Sequence, residues 1–321
     1  MTTNNKTTVN KEERTSFHGI FTALLTPMHK DGSIDFDSLA NLVEHQISQG
    51  IHGFYVGGST GEGFILTTDE REQILEAVVR TAAERVTIIA HVGCISTLES
   101  IRLAKHAEKQ GVDAISAVVP FYYKVTMKEI REHYEAIMAA VPLPMIIYHF
   151  PGATGVSLSM DFYEQMSRHP LCIGVKFTSL NLFEMQQIRA RCGREFLIFN
   201  GHDEIYSGGA FAGADGAIGS TFNMMPGLFT QMYKLIAAEE RPHMPTLQAL
   251  QSEANEVIAH MIQFDVIPYE KYMLYLQGVI SSWTVRQPLK QFTEKEREQI
   301  KAFYEGSDVL CRHRNGIGTG H

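Results

Sequence analysis

The chain has 321 residues, 44% hydrophobic and 20% charged, the balance of a globular protein able to bury a sizeable core. Its formal charge of −8, from 28 basic and 36 acidic residues, argues against a nucleic-acid partner, whose phosphates need clustered Lys and Arg. No run of about 18 apolar residues predicts a membrane span, and Cys94, Cys172, Cys192 and Cys311 have neither C-x-x-C spacing nor the density of a disulfide framework. Scattered cysteines of this kind fit a reducing cytoplasm.

In chain order, residues 1–14 are polar and charged without an apolar centre, and read as a disordered tail rather than a signal peptide. Short apolar runs then alternate with amphipathic segments. The runs are Gly19–Leu25, Gly53–Val56, Thr87–His91, Ala114–Val118, Pro144–Tyr148, Ile173–Lys176, Phe196–Asn200 and Gly216–Ile218. They are rich in Val, Ile and Phe and lack strict alternation, which predicts strands covered on both faces. Between them, Leu39, Leu42, Val43 and Ile47 share one helical face, as do Ile74, Leu75, Val78, Val79 and Ala82. Thr67 with Glu70, and Ser96 with Glu99, match the capping box that opens a helix. A phrase recurs where helices end and strands begin: Gly50-Ile-His-Gly53, Gly111-Val-Asp-Ala114 and Gly213-Ala-Asp-Gly216. Its first glycine suits the left-handed position just past a helix.

Eight β-then-α units in series predict an α/β protein, a (β/α)8 TIM barrel, with a doubly wound open sheet as the alternative. The barrel core spans residues 15–224. Residues 225–305 read as helix only, including Thr246–Ile267 and Thr293–Tyr304, so the last barrel helix is followed by additional C-terminal helices. Residues 306–321, Gly-rich and polar towards the end, read as a flexible tail.

Barrels carry their chemistry at the C-terminal ends of the strands. Lys176 ends strand six, in Ile173-Gly-Val-Lys176. A lysine whose stem lies among apolar neighbours is pushed towards the neutral amine, a nucleophile for carbonyls. The same position also suits a lysine that snorkels or pairs with a carboxylate. Tyr148 ends strand five, one strand away; its phenol can relay protons, or simply rest with its OH in water. Strand two runs into Gly57-Gly-Ser-Thr-Gly-Glu-Gly-Phe64, where consecutive N–H groups and the hydroxyls of Ser59 and Thr60 suit a carboxylate or phosphate. No Gly-Lys-Ser/Thr follows, so this is not a Walker loop, and a structural turn before a capped helix reads equally well. Asp203 and Glu204, after strand seven, and Ser220, after strand eight, suit hydrogen bonds to a polyol, and the two acids also suit a helix N-terminus. The fourteen histidines show no metal-binding spacing. His91, His149 and His202 lie near strand ends, which keeps a metal-dependent aldolase as an alternative to polar lining or core histidines.

Over His18–Tyr304 these features together resemble the dihydrodipicolinate synthase and N-acetylneuraminate lyase family. The marks are Gly57-Gly-Ser-Thr-Gly-Glu62, Tyr148 with Pro151 and Gly155, and Lys176. The resemblance implies that Lys176 forms a Schiff base with the keto carbon of pyruvate, that Ser59 and Thr60 hold its carboxylate and that Tyr148 relays protons. It implies that Tyr122, in Pro120-Phe-Tyr-Tyr-Lys124, is exchanged between neighbouring subunits of a homotetramer. The lyase branch is matched by Ala90–Thr97, Ser116–Tyr123, Asn200–Glu204 and Gly213–Thr221, which carries sugar-binding roles to Thr178, Gly201, Asp203, Glu204 and Ser220. Ala153 stands where the synthase branch places an arginine. The expected reaction is reversible cleavage of N-acetylneuraminate to N-acetylmannosamine and pyruvate, with no metal or diffusible cofactor beyond the covalent adduct on Lys176. Alternatives are another pyruvate-dependent aldolase of 2-keto-3-deoxy sugar acids or a synthase-like enzyme of the family, a catalytically silent keto-acid-binding barrel, and a phosphate-binding barrel. Gly63, His149 and His202 depart from the lyase pattern and are expected around the sugar end of the site.

Overall fold

A computed structural model describes residues 15–238 and 244–310. The expected tail of residues 1–14 and Cys311 lie outside the described residues, as does most of the expected C-terminal tail. Eight parallel strands form a closed barrel in sequence order: β1 (Gly19–Ala23), β2 (Gly53–Val56), β3 (Thr87–His91), β4 (Ala114–Val118), β5 (Met145–His149), β6 (Cys172–Phe177), β7 (Leu197–Asn200) and β8 (Gly216–Gly219). Nearly every strand residue is buried, as expected of strands covered on both faces. The helices are α1 (Phe36–Ser48), α2 (Thr68–Ala82), α3 (Thr97–Gln110), α4 (Met127–Ala140), the single turn α5 (Pro151–Thr154), α6 (Met160–Ser167), α7 (Leu182–Cys192), α8 (Tyr206–Ala212), α9 (Pro226–Ala237), α10 (Met244–Met261), α11 (Val266–Leu276) and α12 (Glu294–Gly306).

The chain divides into two compact units. One comprises residues up to Gly19 with Thr87–Ile218, and holds β3 to β7 with α3 to α8. The other comprises Ile20–Val86 with the residues from Gly219 onwards, and holds β2 with α1, α2 and α9 to α12. In the second unit α1 packs on α2, α9 on α10, and α11 on α12.

The recurring Gly-x-Asp/His phrase has a physical basis. Gly50, Gly111 and Gly213 all have positive φ (79°, 73° and 111°), the conformation that only glycine takes without strain. The residue two further on then pairs with the second residue of the preceding strand through both its backbone and its side chain. The N–H of His52, Asp113 and Asp215 donates to the carbonyls of Ile20, Ile88 and Ile198. In return the N–H of Ile20 donates to His52 Nδ1 (3.1 Å), that of Ile88 to Asp113 Oδ2 (2.7 Å) and that of Ile198 to Asp215 Oδ2 (2.8 Å). The phrase therefore closes the N-terminal ends of the strands.

Three expectations change. The helix read over Thr246–Ile267 is two helices, α10 and α11, separated at Ile262–Asp265. Pro268 has no N–H to donate back to Phe264, and its ring clashes with that carbonyl in a continuous helix. The capping box at Thr67 and Glu70 forms, but Ser96 makes no side-chain cap bond; Ser100 Oγ instead accepts from the Cys94 N–H. The flexible tail expected from residue 306 begins too early, because Ser307, Val309 and Leu310 are buried.

Candidate active site

In the first unit β5 and β6 run in register, with Tyr148 opposite Lys176 and His149 opposite Phe177. Successive side chains of a strand point to opposite faces, so each pair shares one. Lys176 and Tyr148 face inwards, and the Lys176 Nζ lies 4.3 Å from the centroid of the Tyr148 ring. Around Tyr148, His91 packs edge-on at 5.9 Å and Phe150 stacks at 6.0 Å. Lys176 is 5% exposed. Burial pulls its ammonium down to about 7, with the Asp203 carboxylate working against that pull. A large share of the amine is therefore uncharged and nucleophilic near neutrality.

Asp203 is buried at the start of the short 3-10 turn Asp203–Ile205 that follows β7. Glu204 beside it takes a 3.0 Å contact from His202 Nδ1. Burial raises the Glu204 carboxyl, but the bond and charge of His202 together with the backbone outweigh it and leave the group below its usual range. Phe150 packs edge-on to His202 at 6.5 Å, which joins this turn to the Tyr148 cluster. Thr178 follows β6 with its N–H on the His149 carbonyl, and its buried Oγ1 has no hydrogen-bond partner. Gly201 lies against it: a Cβ at Gly201 would sit 2.0 Å from Thr178 Oγ1, so the approach requires glycine. Lys176, Tyr148, Thr178, Gly201, Asp203 and Glu204 are thus gathered in one unit. Tyr122 is not brought into this group; it is 73% exposed, with its ring edge-on to Tyr123.

In the second unit Ser59 and Thr60 are half-buried in the loop after β2. The loop folds back on itself: the Glu62 N–H donates to the Ser59 carbonyl and the Gly63 N–H to the Gly58 carbonyl, each at 3.0 Å. Thr26 Oγ1 donates to the Gly61 carbonyl at 2.8 Å. Ser220, also half-buried, precedes the turn Thr221–Asn223 and accepts at its carbonyl from Asn223.

Two of the three residues expected around a sugar have another explanation. His149 faces outwards, stacked on Phe177 at 5.3 Å and packed edge-on to Tyr163 of α6. It is one residue out of phase with Tyr148, and strand alternation sends it to the helix layer. Neither ring nitrogen has a hydrogen bond, the Glu184 carboxylate lies 4.0 Å away, and burial pulls the imidazole down to about 4. Gly63 is fixed by its own loop, because a Cβ there would lie 2.1 Å from the Gly57 carbonyl oxygen. Only His202 stands among the site residues. His91 Nε2 accepts from the Val118 N–H at 3.3 Å, which makes it a bonded lining histidine. Among the described residues no group of three or more His, Cys, Asp or Glu is arranged to hold a metal ion.

Lys271, not singled out by any sequence motif, lies in α11 and is fully buried. Its signal was present: the single lysine of Val266–Leu276, between Glu270 and the apolar run Tyr272–Leu274.

The sequence model of the dihydrodipicolinate synthetase family matches residues 16–306. An N-acetylneuraminate lyase of Enterobacter sp. (strain 638) is 42% identical over 285 residues, covering 88% of this chain and 95% of that protein. An N-acetylneuraminate lyase of Escherichia coli (strain K12 / DH10B) is 42% identical over 289 residues, covering 90% and 96%. Among solved structures, a Ruminococcus gnavus sialic acid aldolase in its catalytic lysine mutant form superposes with a TM-score of 0.88 at 32% identity, covering 96% of this chain and 99% of that one. CdNal from Clostridium difficile, in complex with mannosamine, superposes with a TM-score of 0.87 at 35% identity, covering 91% and 99%. The family model and the relatives each cover most of the chain, and the chain belongs to the dihydrodipicolinate synthetase family.

Proposed function

We propose that the protein is a Schiff-base aldolase that cleaves N-acetylneuraminate reversibly to N-acetylmannosamine and pyruvate. The observation that carries this reading is a buried lysine, held near neutrality by burial, against a tyrosine ring on the adjacent strand. The relatives named N-acetylneuraminate lyase favour this substrate over other 2-keto-3-deoxy sugar acids. Ala153, where the synthases carry an arginine, favours the lyase over the synthase reaction.

In the proposed sequence the neutral Lys176 amine attacks C2 of the open-chain keto acid, and loss of water leaves a protonated imine. Tyr148 takes the proton of the C4 hydroxyl. The C3–C4 bond breaks, its electron pair passes to the imine as an enamine, and the aldehyde sugar departs. Protonation at C3 and hydrolysis then release pyruvate and restore the amine. The lysine itself supplies the electron sink, so the reaction calls for no metal or diffusible cofactor. On the motif alone, Ser59 and Thr60 hold the carboxylate. Thr178, Gly201, Asp203, Glu204 and Ser220 receive the sugar hydroxyls.

We also assign the chain to a homotetramer, supported by apolar side chains left exposed in one chain: Tyr122 and Tyr123 after β4, and Leu180, Phe183 and Phe211 around α7 and α8. Tyr122 then acts in a neighbouring subunit. The free thiols of Cys94, Cys172 and Cys192 suit the cytoplasm. The test is a panel of sugar acids assayed for pyruvate release by the wild type and Lys176→Met. Release from N-acetylneuraminate above the rest of the panel, abolished in the variant, is expected. Preference for another sugar acid replaces the substrate, and equal activity in Lys176→Met removes the mechanism.

A further inference from the structure

The second unit buries a charge cluster behind the loop after β2. Glu62 closes the motif Gly57–Glu62, is buried, and has φ of 61°, the left-handed conformation that a residue with a Cβ avoids. The Lys271 ammonium of α11, itself 0% exposed, forms an ion pair with Glu62 Oε1 and donates to the Thr284 carbonyl at 2.8 Å. The Arg286 backbone N–H donates to Glu62 Oε2 at 2.7 Å. The Arg286 guanidinium then donates to both oxygens of Glu70 (2.8 and 3.2 Å) and to the Gly32 carbonyl (2.6 Å). Glu70 is the capping-box residue of α2, which begins just after the loop. The C-terminal segment 271–286 thus grips both the loop and the helix that follows it.

Stability alone gives a poor account of this arrangement. A buried ion pair is often no better for stability than apolar side chains of the same volume, because both charges lose water. Glu62 adds an unfavourable backbone conformation. What the cluster achieves is position: the Glu62 N–H ties to the Ser59 carbonyl, so the placement of Glu62 sets that of Ser59 and Thr60.

We propose that Glu62, Lys271 and Arg286 are positioning residues that fix the loop 57–63 for the carboxylate of the keto acid, and that the C-terminal helices are thereby a working part of substrate binding. This rests on the aldolase reading above. Each of the three acts through Ser59 and Thr60, and none touches substrate.

The test traps pyruvate on the full-length protein with borohydride and measures the pyruvate concentration for half-maximal labelling. Acetone, a carbonyl without a carboxylate, is the control. Glu62→Gln is expected to raise the half-saturating pyruvate concentration by about tenfold or more, the loss of a hydrogen bond to a charged group. Labelling at saturating pyruvate and labelling by acetone stay near wild type. Lys271→Met strands the Glu62 carboxylate and is expected to lower the melting temperature. The double variant Glu62→Gln/Lys271→Met removes both charges, recovers the melting temperature and keeps the weak pyruvate binding. A fall in melting temperature with unchanged pyruvate saturation, or equal losses with pyruvate and acetone, overturns the proposal. A wild type that traps no pyruvate is a different failure, that of the aldolase reading itself.

Discussion

At Lys176 one methylene stem among apolar neighbours and one carboxylate at a distance set the chemistry. Burial favours the uncharged amine and Asp203 favours the ammonium, with burial ahead at a value of about 7. The rate of adduct formation is therefore expected to rise with pH through about 7 and then level. Asp203→Asn removes the opposing charge, so the inflection moves to lower pH, by on the order of one pH unit for a charge at this range. An inflection that stays in place, or moves up, in a pH–rate profile of borohydride trapping contradicts this account of the amine. His149 teaches the reverse lesson. From the sequence it stands next to Tyr148 and looks like a site residue, yet the strand's twofold alternation turns it to the helices. His149→Phe, stacking on Phe177 as the imidazole does, is expected to leave kcat/KM within about twofold of wild type, the range of a substitution away from the chemistry. A tenfold loss of kcat/KM would place it back in the site.

The strands were legible because strands covered on both faces are written as short Val/Ile-rich runs, and the Gly-x-Asp phrase marked where several began. β2, β3 and β4 fall where expected, while the ends of the other five moved by one or two residues, since neighbouring strands and not the local sequence decide the last ladder bond. The split between α10 and α11 was legible in Pro268 and was overridden by the apolar periodicity around it. The cluster at Glu62 was not legible, because it joins residues more than 200 positions apart and no local pattern announces such a pairing. At the base of β7, Asp215 accepts from Ile198 and pairs with Arg189, whose guanidinium also donates to the carbonyls of Gly193, Phe196 and Gly213. Asp215→Ala leaves the Ile198 N–H and part of Arg189 without acceptors, a loss of about 1–3 kcal/mol. The urea unfolding midpoint of the variant checks this loss, and a midpoint unchanged from wild type contradicts it.

For the molecule as a unit, buried histidines tie stability to pH. His133 and His149 are each held down to about 4 by burial, against about 6.5 in the unfolded chain. Above about 6.5 neither state binds the proton and the groups contribute nothing. As pH falls from 6.5 to 4 the unfolded chain takes protons that the folded protein refuses, so stability falls, by on the order of 3 kcal/mol per group at the acid end. His149→Phe isolates one share, since Glu184 and Tyr163, which face the ring, are unchanged; its stability is expected to fall less steeply over that window, and an unaltered slope contradicts the assignment. A nucleophilic amine at the end of β6 is put to the test by incubating the protein with pyruvate and borohydride and mapping the adduct by mass spectrometry. One reduced pyruvate per chain is expected, on Lys176, formed faster as pH rises through about 7. No adduct, or an adduct on another lysine with Lys176 unmodified, would contradict it.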